Sequence, residues 1–388
     1  MKRFLFLCFA LLLAASVVVP NAYAEGEKGV NLADNSKSAI LIERDTGAVL
    51  YEKNSNEKLP PASMTKIMTM VLIMDSLDKG ELTLKEKIRT SEYAASMGGS
   101  QIFLEAGEEM TVEHMLQGIA IGSGNDASVA MAERLAGSEE EFVKKMNEKA
   151  AELGLKHTKF QNATGLPVED HYSTSHDMAI MAKELLKYDM ITKFTGTYEA
   201  YLREDTDKKF WLVNTNRLVK FYPGVDGLKT GFTNEAKYCL TATGKKGNMR
   251  VIAVVMGAPS PKERNAEVTK MLDYAFSQFT THPIYKRGVA LKSVPVSKGS
   301  KKTIIGVTSE PISVLTKKSG SSKDFTQKIS MHQNLKAPIK QGDKIGMLKV
   351  IKDGKTVVDS PIVAKDDMEK ASWWEMYKRA FGKITQSK

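Results

Sequence analysis

The chain has 388 residues, 42% of them hydrophobic and 26% charged, a composition that excludes general disorder and leaves room for two or three globular domains. Its formal net charge is +10, with two cysteines, Cys8 and Cys239, too few for a disulfide framework or a Cys-based metal cluster. The charge is uneven: residues 284–388 hold 22 Lys+Arg against 9 Asp+Glu, a bias that suits anionic lipid or wall polymer as well as a solvated lysine-rich surface.

Lys2 and Arg3 precede an apolar run from Phe4 to Val19, followed by Pro20 and Ala22-Tyr23-Ala24. A cationic start, a short apolar middle and small residues spaced A-x-A predict a secretory signal peptide cut after Ala24. The alternative is a retained anchor, for which the run is short. Cys8 sits inside the apolar run and away from the cleavage point, so it offers no site for lipid attachment and leaves with the leader. Cys239, in a strand-like run, reads as a small buried hydrophobe. Export and the lack of any nucleic-acid motif exclude a nucleic-acid partner.

Ser38 to Glu43 and Ala48 to Glu52 flank Asp45-Thr46-Gly47 as a hairpin. Helical patterns follow at Met64 to Leu77, which is apolar nearly all round, and at Val112 to Ile121, Asp126 to Leu135 and Glu140 to Leu153. A second hairpin joins Tyr238–Thr243 to Arg250–Met256. Strands at both ends with helices between them predict an α+β domain, one antiparallel sheet packed on a helical cluster. The texture changes at His282-Pro283. Short alternating segments, among them Val289 to Val296, Thr303 to Thr308 and Ile345 to Ile351, predict a small all-β module. At the end, Trp373, Tyr377, Ala380, Phe381 and Ile384 recur at helical spacing, with Glu375, Lys378, Arg379 and Lys383 largely opposite. That pattern predicts an amphipathic helix lying on a membrane surface, the alternative being a helix packed on the β module. The expected divisions are 1–24, 25–283, 284–368 and 369–388.

Three short segments carry candidate chemistry. Pro60-Pro61-Ala62-Ser63-Met64-Thr65-Lys66 opens the long apolar helix, so Ser63 and Lys66 share a face at i and i+3. A serine nucleophile with a lysine base needs that spacing, and the lysine needs burial or a second cation to lower its pKa. Ser55-Asn56-Glu57-Lys58 repeats the pattern in a polar turn without a helix, and reads as surface. Gly122-Ser123-Gly124-Asn125-Asp126 joins two helices. Ser123 there suits proton relay and Asn125 suits holding a substrate amide, while Asn125 or Asp126 also suits a helix cap. In Val225-Asp226-Gly227-Leu228-Lys229-Thr230-Gly231-Phe232-Thr233, Lys229 supplies fixed positive charge for a carboxylate and Thr230 a hydroxyl; an ordinary turn is the plain alternative.

Together, Ser63-Met64-Thr65-Lys66, Ser123-Gly124-Asn125 and Lys229-Thr230-Gly231 resemble the three motifs of penicillin-binding proteins and serine β-lactamases. Glycine in the middle motif, with Phe160-Gln161-Asn162-Ala163-Thr164-Gly165-Leu166 and Asp226-Gly227-Leu228-Lys229-Thr230-Gly231, is similar to the low-molecular-mass D-alanyl-D-alanine carboxypeptidases. The resemblance covers nearly the whole chain. It implies a β-lactamase/transpeptidase-like α+β domain, a β module and a terminal amphipathic helix on the outer face of the cytoplasmic membrane. It also implies that Ser63 attacks the penultimate D-alanine of a peptidoglycan stem peptide, that Lys66 takes its proton and that Ser123 helps protonate the leaving D-alanine. Asn125, Lys229, Thr230, Gly231 and Phe232 would line the substrate site, with the N–H groups of Ser63 and Phe232 as oxyanion hole. Arg264 falls where the family places an arginine for the terminal carboxylate, a surface arginine being the competing reading. β-Lactam antibiotics would be covalent inhibitors.

Two other functions stay open on sequence alone, a serine β-lactamase and a non-catalytic scaffold of the cell wall. Against the first, nothing around Glu169 resembles the Glu-x-x-x-Asn pattern of those lactamases; against the second, all three motifs are intact. No metal or organic cofactor is expected, because His114, His157, His171, His176, His282 and His332 form no ligand pattern, His171 and His176 reading as loop surface. Asn162-Ala163-Thr164, formally a glycosylation acceptor, reads as structural.

Overall fold

The computed structural model describes residues 30–319, 325–352, 354–374 and 376–377. The expected leader, residues 1–24, and the expected terminal helix beyond Tyr377 lie outside the described residues.

The first domain opens with strands β1 (Ser38–Glu43) and β2 (Val49–Lys53), then a 3-10 turn at Ala62–Thr65 that runs directly into α1 (Lys66–Asp78). Next come β3 (Lys87–Arg89), α2 (Glu92–Ala95), β4 (Glu109–Thr111), α3 (Val112–Ala120), α4 (Asn125–Ala136), α5 (Glu139–Glu152), α6 (Ser175–Leu185) and α7 (Ile191–Thr195). A small hairpin, β5 (Glu199–Leu202) and β6 (Phe210–Val213), precedes α8 (Leu218–Phe221). The chain then forms β7 (Val225–Thr233), β8 (Lys237–Lys246) and β9 (Met249–Ala258), and α9 (Pro261–Gln278) closes the domain.

The five long strands form one antiparallel sheet in the order β2-β1-β9-β8-β7. Both faces are covered. Ile40 and Ile42 of β1 join the core shared with the helical cluster, whereas Ala39 and Leu41 join the core under α9. Because β9 is central and buried at every position, Val251–Met256 reads as a continuous apolar run instead of an alternating one. Helix α1 is apolar nearly all round for the same reason: Ile67, Met68, Met70, Val71, Ile73 and Met74 are buried among the sheet and other helices. Each such side chain contributes roughly 1.5–3 kcal/mol of transfer free energy, which fixes the helix carrying Lys66 in place.

After α9 the chain passes without a linker into β10 (Phe279–Tyr285), which runs across residue 283 and pairs with β13 (Ile312–Lys317). Strands β11 (Ala290–Ser297), β12 (Thr303–Thr308), β14 (Phe325–Met331), β15 (Leu335–Lys336), β16 (Lys344–Lys352) and β17 (Lys355–Ala364) form a six-stranded sheet ordered β14-β16-β17-β12-β11-β15. Its core gathers Ile304, Ile312, Val314, Ile345, Leu348, Val350 and Ile362. Polar contacts join the two parts: Thr281 Oγ1 donates to Glu43 (3.3 Å), Ser313 Oγ donates to Asp45, and Arg287 pairs with Asp78 (2.9 Å).

Candidate active site

Two residues flank the sharp entry to α1. Pro61 leads into Ala62, held at φ +48°, and the 3-10 turn then leaves Ser63 partly exposed and Lys66 wholly buried. The i, i+3 spacing brings Lys66 Nζ to 3.1 Å from Ser63 Oγ. The intervening residues anchor the turn: Met64 Sδ accepts from Thr241 Oγ1 (3.3 Å), and Thr65 Oγ1 meets His171 Nε2 at 2.8 Å. Since His171 Nδ1 accepts the Gln161 N–H (3.2 Å), its proton sits on Nε2, which donates to Thr65. His171 is therefore a buried prop of the nucleophile turn, not the loop-surface residue its sequence context predicts, and burial lowers its pKa to about 4.

Two glycines let backbone close on this turn. A Cβ at Gly165, which has φ +83°, would lie 1.8 Å from the Ala62 carbonyl oxygen, and one at Gly231 would lie 2.7 Å from that of Pro61. The Phe160–Leu166 stretch thus packs against one side of the turn and β7 against the other. Asn162 shapes its own loop, its Oδ1 accepting from Thr164 N (3.1 Å) and Gly165 N (2.7 Å).

Lys66 Nζ has two further partners, Asn125 Oδ1 at 2.6 Å and the Thr164 carbonyl at 2.7 Å. Asn125 Nδ2 donates to the Gly98 carbonyl (2.6 Å), so its oxygen faces the lysine. A neutral amine has two N–H donors and one lone pair. Asn125 and Thr164 can only accept, which leaves the lone pair for the Ser63 hydroxyl proton. Burial holds the Lys66 pKa well below the usual lysine range; the nearby charge of Lys229 pushes the same way, and Asp126 opposes both. Asp126 is itself buried, its carboxylate accepting the N–H groups of Ile102 (3.0 Å), Leu104 (3.0 Å) and Ala127 (2.9 Å).

The middle motif differs from the capping reading. Gly124 occupies the N-cap of α4 without a side-chain bond, and Asn125 is already helical, its Oδ1 accepting from Lys66 and one Nδ2 proton going to Gly98. Ser123 just before it is buried and held at φ +64°. The Ser55–Lys58 repeat departs from its surface reading at Ser55 alone, which is buried and donates to Glu52 (2.6 Å), whereas Lys58 lies exposed over the Tyr172 ring.

The third motif lies within β7, the strand at the sheet edge nearest Ser63. Lys229 is buried, its Nζ donating to the Thr230 carbonyl (3.1 Å), and burial with the charge of Arg264 lowers its pKa to about 7. Arg264, projecting from α9, is only 6% exposed, so it is not a surface arginine; Nε and Nη2 donate to Asn265 Oδ1. Phe232 is half exposed and stacks on Tyr238 with centroids 4.4 Å apart. A groove of about 590 Å³ borders the nucleophile turn, lined in part by Pro61, Ala62, Gly165, Leu166 and Thr233. Among the described residues, no group of three or more His, Cys, Asp and Glu is arranged to hold a metal ion.

Residues 26–260 match the family described as D-alanyl-D-alanine carboxypeptidase, and residues 279–370 match the C-terminal domain of penicillin-binding protein 5. Over 371 residues, 95% of each chain, the sequence is 66% identical to D-alanyl-D-alanine carboxypeptidase DacF of Bacillus subtilis. The chain belongs to the D-alanyl-D-alanine carboxypeptidase family. At 32% identity over 363 residues, 90% of this chain and 86% of the relative, it is also similar to the D-alanyl-D-alanine carboxypeptidase DacA of Escherichia coli K12. Among solved structures, penicillin binding protein 5 from Haemophilus influenzae matches with a TM-score of 0.67 and 28% identity, covering 88% of this chain and all of that one. The ampicillin-bound form of penicillin-binding protein D2 from Listeria monocytogenes matches with a TM-score of 0.55 and 31% identity, over 64% of this chain and 100% of that one. This D-alanyl-D-alanine carboxypeptidase family member thus combines an α+β domain with a C-terminal β module.

In this carboxypeptidase, four contributors to the site carry no motif of their own in the sequence. The Thr164 carbonyl, the His171 ring, the Asp126 carboxylate and the Thr215 hydroxyl beside Thr230 each act through a contact made by the fold. The Phe160–Leu166 resemblance contains the first, and Asp126 ends the Gly122–Asp126 segment, where the sequence suggests a helix cap.

Proposed function

We propose that this chain removes the terminal D-alanine from peptidoglycan stem peptides through an acyl-enzyme on Ser63. Lys66, neutral in its buried site, accepts the Ser63 proton as Oγ attacks the carbonyl carbon of the penultimate D-alanine. The N–H groups of Ser63 and Phe232 stabilise the oxyanion, Ser123 passes a proton to the departing amine, and water releases the shortened peptide. Asn125 holds the substrate amide, Gly231 lets the peptide approach β7, and Lys229, Thr230 and Arg264 receive the terminal carboxylate. β-Lactams acylate the same serine. The observation that carries the reading is the convergence of Ser63 Oγ (3.1 Å), Asn125 Oδ1 (2.6 Å) and the Thr164 carbonyl (2.7 Å) on Nζ of Lys66, whose complete burial favours the neutral amine.

The test is release of D-alanine from a peptide ending in D-Ala-D-Ala by wild type, Lys66→Ala and Lys66→Arg. Both variants should lose D-alanine release by several orders of magnitude, since arginine keeps its proton. Retention of near wild-type activity by Lys66→Arg would refute the lysine base. Neither rival reading gains support, as Glu169 is an exposed loop residue and Ser63, Lys66 and Asn125 of the first two motifs converge.

We further propose export by the leader at 1–24, a catalytic unit from 25 to 283, a β module from 284 to 368 and peripheral attachment to the outer face of the cytoplasmic membrane through residues 369–388. Exposed, mutually stacked Trp373, Trp374 and Tyr377 support an interfacial role. Among the described residues no helix is long and apolar enough to cross a membrane. Deleting residues 369–388 should move the protein from the membrane fraction to the soluble one; unchanged fractionation would contradict the attachment.

A further inference from the structure

Thr215 lies between the second and third motifs in space but belongs to neither in sequence. Its neighbours Asn214 and Asn216 are buried and build the turn that presents it. Asn214 Nδ2 donates to the carbonyls of Thr195 (2.9 Å) and Thr197 (2.8 Å), while its Oδ1 accepts the Asn216 N–H (2.8 Å). Asn216 Nδ2 donates to the Gly227 carbonyl of β7 (2.9 Å), and its Oδ1 accepts the Leu218 N–H (3.2 Å). Thr215 itself is tied to the third motif and to the backbone just before the second. Its backbone N–H donates to the carbonyl of Ile121, two residues before Ser123, and its hydroxyl is 2.7 Å from that of Thr230.

We propose that Thr215 is a positioning residue that aims the Thr230 hydroxyl proton at the substrate carboxylate. The inference rests on the carboxylate role given above to Lys229 and Thr230. A carboxylate can only accept hydrogen bonds, and a threonine hydroxyl has one proton to give. In the free enzyme Thr230 donates to Thr215. When a carboxylate enters, Thr230 turns its proton to the ligand, and Thr215 donates its own proton to the Thr230 oxygen. That exchange keeps the largely buried hydroxyl satisfied, and its 2.7 Å separation is the usual O–H···O length. Valine at 215 preserves shape at an exposed position but removes the second donor, whereas serine retains it.

The experiment measures acylation of the full-length protein by benzylpenicillin and by its methyl ester, using intact-protein mass spectrometry on wild type, Thr215→Val and Thr215→Ser. The expected result is a roughly five- to tenfold loss in acylation efficiency for Thr215→Val with the free acid, little change with the ester, and recovery in Thr215→Ser. With D-Ala-D-Ala peptide, the same loss should appear mainly in KM. Equal losses on acid and ester, or no loss on either, would overturn the positioning role. A wild type acylated equally well by acid and ester would instead overturn the carboxylate reading beneath it, and a wild type that neither forms an adduct nor releases D-alanine would overturn the proposed reaction.

Discussion

Asn125 Oδ1 accepts a 2.6 Å hydrogen bond from Nζ of Lys66. The contact fixes the direction of the lysine lone pair, because the Thr164 carbonyl takes the other N–H. Asn125→Ala should therefore slow Ser63 acylation by about ten- to a hundredfold, the range for a lost hydrogen bond to an ionisable partner. Asn125→Asp should act differently. A carboxylate beside Lys66 favours its charged form, so the ascending limb of acylation against pH should move to higher pH. Rapid-quench acylation by penicillin across pH checks both; an unmoved limb in Asn125→Asp would remove Lys66 from that titration.

Lys229 supplies a second pH signature. Burial and Arg264 hold its pKa at about 7, below the ordinary lysine value, and a bound carboxylate raises it again. Ligand binding at pH 8 should therefore take up a proton. Near pH 5 Lys229 is already charged and the uptake should vanish. Calorimetry of Ser63→Ala with a D-Ala-D-Ala peptide, in buffers of different ionisation enthalpy, measures it; Lys229→Arg should bind without uptake at either pH. Equal uptake in that variant would assign the proton to another group.

Gly165 is fixed by space as well as by backbone conformation. With a Cβ only 1.8 Å from the Ala62 carbonyl oxygen and φ at +83°, Gly165→Ala must displace the loop from the nucleophile turn. A loss of about 3 kcal/mol or more in stability is expected from left-handed strain plus overpacking. Acylation should fall further than global stability explains, because Thr164 moves with the loop. Denaturant unfolding alongside penicillin acylation checks this; a variant with wild-type stability and acylation would contradict the close packing.

His171 gives stability a dependence on acid. Its folded pKa of about 4 lies below the usual 6.5, so between those values the unfolded chain binds the proton first. This contribution is full above pH 6.5 and is lost as pH falls towards 4, by about 3 kcal/mol at most. Thermal unfolding from pH 7 to 4 should therefore decline less steeply in His171→Gln than in wild type. Parallel profiles would place the acid sensitivity elsewhere.

The sequence carried the parts of the site that depend on side-chain type at fixed spacing. Ser63 and Lys66 stand one helical turn apart, and the positive charge of Lys229 beside an obligatory glycine is written in the chain. What it did not carry are contacts made across the fold. The Thr164 carbonyl on Lys66 involves no side-chain identity at 164, and His171 looks like any loop histidine until Gln161 and Thr65 close around its ring. Helical periodicity likewise placed the start of the helix at Met64, whereas a 3-10 turn precedes α1 and sets the Ser63–Lys66 distance. The sheet was legible at its two hairpins, but β10 was not, because the texture changes at Pro283 while its pairing with β13 depends on a distant segment.

The most direct test of the Ser63 acyl-enzyme is mass spectrometry of the purified protein, wild type and Ser63→Ala, after brief exposure to penicillin and separately to a D-Ala-D-Ala peptide. Acylation at Ser63 predicts one penicillin adduct on wild type, none on Ser63→Ala, and release of a single D-alanine by wild type alone. An adduct that persists in Ser63→Ala, or wild type that hydrolyses penicillin rapidly without accumulating it and leaves the peptide intact, would contradict it.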